Sequence, residues 1–190
     1  MPEFFDVIKS RRSVRSYTSE PVSTEDLQEL IELAVLAPTG MNLQPWAFTV
    51  VTNRGVLTTL DEKVLAALRT PEMQHVFQQE GMADFINDPA YSIFYGAPAL
   101  VVISGATSTP IASTDCQLAA ENLFLAAHAK GLGTCYMGFL LFLARDAQVT
   151  RDLLRIPEGY EMMAAAVVGH PAAPPDGPPL RNPPRIEWLR

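Results

Sequence analysis

Apolar positions along this chain fall into two kinds of run. In "SEPVSTEDLQELIELAVLAP" they recur at Leu27, Leu30, Ile31 and Ala34, one face of a 3.6-residue helix. Ser23 stands where an N-cap belongs, Glu25 and Asp26 occupy the first turn, and Pro38 ends the pattern. In "AFTVVT" (47–52), "PALVVIS" (98–104) and "AAAVVG" (164–169), nearly every residue is apolar and many are β-branched. Such runs predict strands buried on both faces. Further helical patterns fall at 55–68, 72–86, 114–130 and 145–154, with Ser113 or Thr114 as cap and Gly131 as stop for the third. "GTCYM" (133–137) offers a fourth strand, and "EFFDVIKSR" (3–11) a short amphipathic helix with Phe4, Phe5 and Ile8 as its apolar groups. Strands alternating with helices predict one sheet between helical layers, an α/β or α+β sandwich.

The pattern changes at the C-terminus. The last 20 residues, "PAAPPDGPPLRNPPRIEWLR", hold seven of the 16 prolines, so they neither join a central strand nor continue a helix. We expect a single domain over 1–170 and an extended arm over 171–190. Trp188 and Leu189 at the end of that arm predict docking on its own domain or on a neighbour.

Charge narrows the partners. A formal net charge of -7 and a pI near 4.9 argue against nucleic acid or an anionic membrane, which require a broad cationic footprint. No stretch reaches the roughly 20 apolar residues that span a bilayer, and "MPEFFDVIKS" lacks the order of a secretion signal, so the expectation is a soluble, cytoplasmic protein. Cys116 and Cys135 form no CxxC and no metal-ligand spacing with histidine, which predicts packed, reduced thiols and no metal site.

Against this acidity, "RRSVR" (11–15) places three arginines in five positions. A guanidinium offers planar, two-pronged hydrogen bonds to phosphate oxygens, and Ser13 adds a hydroxyl. Positive charge at the carbonyl end of the first helix accounts for one arginine equally well. GxSxG, HExxH, P-loop and GxGxxG motifs are all missing, and His75, His128 and His170 stand far apart in sequence. A concentrated anion site without a nucleophile or acid/base pair suggests that a bound cofactor brings the reactivity. "APTGMNLQPW" (37–46) gathers a hydroxyl, bare backbone and two carboxamides before a buried strand, either as a ligand wall or as an ordinary connection. "GLGTCYMG" (131–138) is a helix-to-strand turn whose glycines permit close approach of backbone.

Taken in order, "RRSVR", "APTGMNLQPW", "GAPALVVI", "AAENLFLAAHAKGLGTCYMG" and "VVGHP" resemble the FMN-dependent nitroreductase family across nearly the whole chain. The resemblance implies an α+β sandwich with a central, mainly antiparallel sheet flanked by helices. It implies an intertwined homodimer with FMN in clefts at the subunit interface. Arg11, Arg12, Ser13 and Arg15 would take the phosphate and ribityl side of one flavin, with Arg181 as a further phosphate contact. Pro38, Thr39, Gly40, Asn42 and Gln44 would line the ring from the other subunit, and Tyr136, Met137 and Gly138 would lie near its N5 edge. No side chain would act as a catalytic acid or base. The implied reaction is ping-pong: NADH or NADPH reduces FMN, which then reduces a nitroaromatic, a quinone or a similar electron-poor small molecule. Thr39 replaces a commoner serine and Tyr136 a commoner tryptophan, while 70–95 usually covers the flavin in this fold. Flavin fragmentation, reductive dehalogenation and a non-catalytic flavin-holding dimer are the competing readings.

Overall fold

A computed structural model describes residues 3–79, 82–174 and 177–190. Four strands, β1 (Trp46–Val51), β2 (Ala99–Ala106), β3 (Gly133–Tyr136) and β4 (Tyr160–Gly169), form one sheet in the order β1-β2-β4-β3. Every pairing is antiparallel. The α+β expectation therefore holds.

The apolar runs explain the layers. Successive residues of a strand face opposite sides, so Leu100 and Val102 of β2 enter one core with Leu60, Val64, Leu140 and Leu154. Val101 and Ile103 enter a second core with Leu30, Ala34, Cys116, Ala119 and Leu123. Fully burying each such aliphatic side chain contributes about 2 kcal/mol, and a polar residue at either face of β2 would forfeit that. The helices covering the second side are α2 (Thr24–Ala34) and α6 (Ala112–Ala129). Ser23 caps α2 by accepting the Asp26 N–H at 3.0 Å. On the first side, α3 (Arg54–Leu68) is capped by the Asn53 side chain.

Several expectations require correction. The helix placed over 72–86 is instead α4 (Pro71–Gln79) and α5 (Ala83–Asn87), and residues 80 and 81 lie outside the described ones. Neither Ser113 nor Thr114 caps α6: the helix already begins at Ala112, after Ile111, with no side-chain cap. Its stop at Gly131 is as expected, with Leu132 N–H bonded to the Ala127 carbonyl. Over 145–154 the chain forms a π-helix at Gln148–Leu153, in which Leu154 N–H reaches back five residues to Val149. A 3-10 helix at Gly138–Leu143 carries no period that the sequence pattern flagged. Helix α1 (Phe4–Ser10) forms, yet it buries only Val7, and Phe4, Phe5 and Ile8 face outward.

Residues 177–190 adopt no helix or strand, and Leu180, Ile186, Trp188 and Leu189 are exposed. The arm thus leaves its apolar end groups unburied by its own domain. Pro175 and Asp176 lie outside the described residues. Among the described residues, no helix is long and apolar enough to cross a membrane.

Candidate functional site

The RRSVR segment is held at the open edge of the sheet. Ser13 bridges Thr134 of β3 in parallel, and Val14 N–H donates to the Thr134 carbonyl at 2.9 Å. Val14 is buried between its exposed neighbours Ser13 and Arg15, as the alternation of an extended segment requires. Gly133 makes this docking possible, because a Cβ there would meet the Val14 side chain at 2.7 Å. Beyond the arginines, Thr18 N–H donates to the His170 carbonyl and Ala172 N–H to that of Ser16, so the start of the arm runs alongside.

This arrangement lines a cleft of about 700 Å³ with Arg11, Arg12, Ser13, Arg15 and, from the arm, Arg181. Among the described residues, no carboxylate lines it. Among the described residues the ion pairs join Lys63 to Asp146 and Lys130 to Asp26 and Glu29, leaving these arginines without a carboxylate at that distance. Like charges converging without a counter-ion make an anion site. Within the cluster the arginines differ. Arg12 turns back on α1 and donates to the Lys9 carbonyl at 2.8 Å and to that of Arg11, so it carries the helix-end role open to one arginine. Its Nε is buried without a partner among the described residues.

Arg15 also lines a second cavity, of about 470 Å³, with Tyr91, Ile93, Tyr95, Cys135, Tyr136, Met137, Gly138, Phe139 and Phe142. Tyr136, Met137 and Gly138 thus stand where the arginine segment ends. Phe139 and Phe142 stack with centroids 6.2 Å apart, and Tyr91 meets Tyr95 edge-on at the same separation. Burial, followed by a hydrogen bond to Tyr95, pushes the Tyr91 hydroxyl well above the usual phenol range. Burial raises Tyr17 likewise, and its hydroxyl donates to the Val14 carbonyl at 2.8 Å. The Cys135 thiol is also pushed up by burial, against the opposing pull of Arg15 and Arg11. All three groups stay neutral near pH 7 and can donate a hydrogen bond or pack, but Cys135 is no ready nucleophile.

Tyr91 and Tyr95 come from 70–95, the segment expected from the family resemblance to cover the flavin. Asp61 of α3 fixes their loop, accepting from Ile93 N–H at 2.8 Å, Ser92 Oγ at 3.1 Å and Phe94 N–H at 3.4 Å. Burial raises the Asp61 carboxyl in spite of these donors. Two tyrosines four apart before "GAP" were the available sequence signal.

The residues of "PTGMNLQ" lie elsewhere. None of 38–44 lines the arginine cleft or the aromatic cavity. Their loop packs at the start of α6, where Gly40 N–H donates to Asp115 Oδ1 at 3.3 Å. Gln44 Nε2 donates to Asn42 Oδ1 at 3.1 Å, and Gln44 N–H to Thr39 Oγ1 at 3.3 Å. Met41, Asn42 and Gln44 take φ values of 51°, 55° and 47°, a left-handed backbone that costs energy in non-glycine residues. The side chains of Met41, Asn42 and Gln44 face outward.

A helix-flanked antiparallel sheet whose edge carries an arginine cleft opening beside an aromatic cavity defines an α+β domain suited to a ligand with one anionic and one flat end. Residues 8–170 match the model of the Nitroreductase family, and the chain belongs to that family. A nitroreductase with bound FMN from Desulfitobacterium hafniense DCB-2 superposes with a TM-score of 0.86 at 27% identity, covering 100% of both chains. One from Bacteroides fragilis NCTC 9343, also with bound FMN, gives 0.76 at 28% identity, covering 98% of this chain and 96% of its own. The iodotyrosine deiodinase of Thermotoga neapolitana is 26% identical over 183 residues, 92% of this chain and 91% of that protein.

Proposed function

We propose that this protein is an FMN-dependent oxidoreductase that uses NADH or NADPH to reduce an electron-poor aromatic or quinone-like acceptor, and that it works as a homodimer. The carrying observation is the arginine cleft that runs, through Arg15, into the aromatic cavity. The residues present fit the cofactor. Among the described residues the buried Nε of Arg12 lacks an acceptor and the cleft presents cations without a carboxylate, while the adjoining cavity is lined by Tyr91, Tyr95, Tyr136, Phe139 and Phe142.

Arg11, Ser13 and Arg181 would hold the phosphate, with Arg12 bracing the cluster from the end of α1. Arg15, shared by both spaces, would place its charge between the phosphate and the ring and stabilise negative charge on the ring's near edge. Tyr136, Met137 and Gly138 would wall the ring. Pro38, Thr39, Gly40, Asn42 and Gln44, which face away from their own cleft, would complete the partner's site. When bound, FMN supplies reversible two-electron transfer between the nicotinamide donor and the acceptor. The hydroxyls of Tyr91 and Tyr95 would orient an acceptor's oxygens, and Phe139 and Phe142 would exclude water. The exposed Phe4, Phe5, Ile8, Leu180, Ile186 and Trp188 support association of two copies.

Purified protein is expected to be yellow, to release FMN on denaturation, to run as a dimer, and to oxidise NADH or NADPH only when a quinone or nitroarene is present. Colourless protein that cannot be loaded with FMN overturns the reading. Reductive dehalogenation is the second reading, favoured by the similarity to the Thermotoga enzyme. Halide release from iodotyrosine by the reduced protein decides between them.

A further inference from the structure

We infer that Asp115, on the first turn of α6, is the positioning residue for the 38–44 loop, and that the start of this helix is the template on which the loop is shaped. The inference rests on the reading of that loop as the wall of the partner's flavin site. Asp115 is 3% exposed, in a helix start otherwise built of small and apolar packing, and its Oδ1 accepts the Gly40 N–H. Its Oδ2 is buried without a partner among the described residues. A carboxylate kept under those conditions costs stability by desolvation, so the fold retains it at a price that a leucine would not incur. What it supplies is an acceptor for one backbone amide in a loop with three left-handed non-glycine residues.

A second contact fixes the same point. A Cβ on Gly40 would fall 1.9 Å from Ile111 Cδ1, so the residue that precedes α6 sits directly against the Gly40 backbone. Ile111 thus presses one side of the turn while Asp115 holds its amide. Two residues along α6 from Asp115, Gln117 Nε2 donates to Tyr136 Oη at 3.1 Å and to the Met163 carbonyl at 2.7 Å. One helix start therefore holds both the loop and the ring wall at Tyr136.

The test measures FMN affinity, the visible circular dichroism of bound flavin and the flavin reduction potential in the dimeric holoprotein. Asp115→Leu removes the acceptor while keeping the branch at Cγ and is expected to raise the FMN Kd about tenfold, with altered flavin dichroism and a shifted potential. Asp115→Asn keeps an oxygen for Gly40 and is expected to restore all three readouts. If Asp115→Leu binds FMN with wild-type affinity, dichroism and potential while Asn42→Ala weakens binding, the positioning role is wrong although the loop is a flavin wall. If Asn42→Ala and Gln44→Ala also leave binding untouched, the reading of the loop fails and the inference with it. Hydrogen exchange of the Gly40 amide in the wild-type holoprotein gives an answer even where the leucine variant does not fold. Slow exchange supports the inference, and exchange as fast as that of exposed loop amides overturns it.

Discussion

The arginine cleft and the 38–44 loop are both polar surfaces, but they are finished to different degrees. The cleft is concave, assembled from the sheet edge and the arm of one chain, and lined by four arginines with no carboxylate among the described residues. The loop is outward-facing, with Met41 86% exposed, yet its backbone is already tied by the Thr39 and Asp115 side chains. A strained loop that encloses nothing in its own chain fits the proposed role as a wall of the partner's site. The proposed dimer would account for the difference: one chain would complete the anionic half of a site and offer the other half to its partner.

The largest effect should come from Arg15, the residue common to cleft and cavity. Arg15→Ala removes a charge-assisted contact worth about 1.5–3 kcal/mol, so the FMN Kd should rise about ten- to a hundredfold. Turnover should fall even at saturating FMN, because the same guanidinium borders the aromatic cavity. Unchanged affinity, measured by fluorescence titration, would remove Arg15 from the site. Truncation after Gly177, which deletes Arg181 and the exposed apolar end of the arm, should raise the Kd about tenfold and weaken the dimer in light scattering. A truncated chain that stays dimeric with intact affinity would confine the anion site to residues 11–15.

How much of this was legible before the structure differs between the two regions. The cleft was, because charge clustering in an acidic chain survives any detail of packing, and Val14 and Gly133 needed only ordinary strand alternation to bring Ser13 to Thr134. The strands were legible because their runs are apolar on both faces. The anchors of the loop were not: Asp115 and Ile111 are some 70 residues away from Gly40 in sequence, and only tertiary packing joins them. The same holds for Asp61 and the loop carrying Tyr91 and Tyr95. The π-helix and the split of 72–86 escaped because apolar spacing does not distinguish a continuous helix from two short ones.

Gly40 tests the loop side at smaller scale. Gly40→Ala drives a methyl into Ile111 Cδ1, the mobile end of a side chain, so the fold should persist while FMN affinity drops severalfold. Ile111→Ala in the same chain should restore most of that loss, since it vacates the space. An uncompensated pair of effects, read as a double-mutant cycle, would mean that Gly40 matters for its backbone and not for its contact with Ile111.

The smallest effect concerns His128, which sits behind the cleft with its Nε2 2.7 Å from Ser10 Oγ. Burial lowers its pKa, and the charges of Arg11 and Arg12 lower it further. The unfolded chain therefore binds the proton more readily than the folded one near neutral pH. The corresponding stability is present above the ordinary histidine pKa of about 6.5 and is lost as pH falls from there towards the depressed folded value. An anion in the cleft offsets the two arginine charges and draws the imidazole pKa back up, so occupancy of the cleft should take up a fraction of a proton. Imidazole resonances followed through a pH titration, with and without inorganic phosphate, should show His128 titrating higher when phosphate is present. The loop predicts the opposite: Asn42→Ala should leave this titration unmoved, because nothing in the 38–44 segment borders the arginines of its own chain. A His128 titration indifferent to phosphate but sensitive to Asn42→Ala would reverse the assignment of the two surfaces.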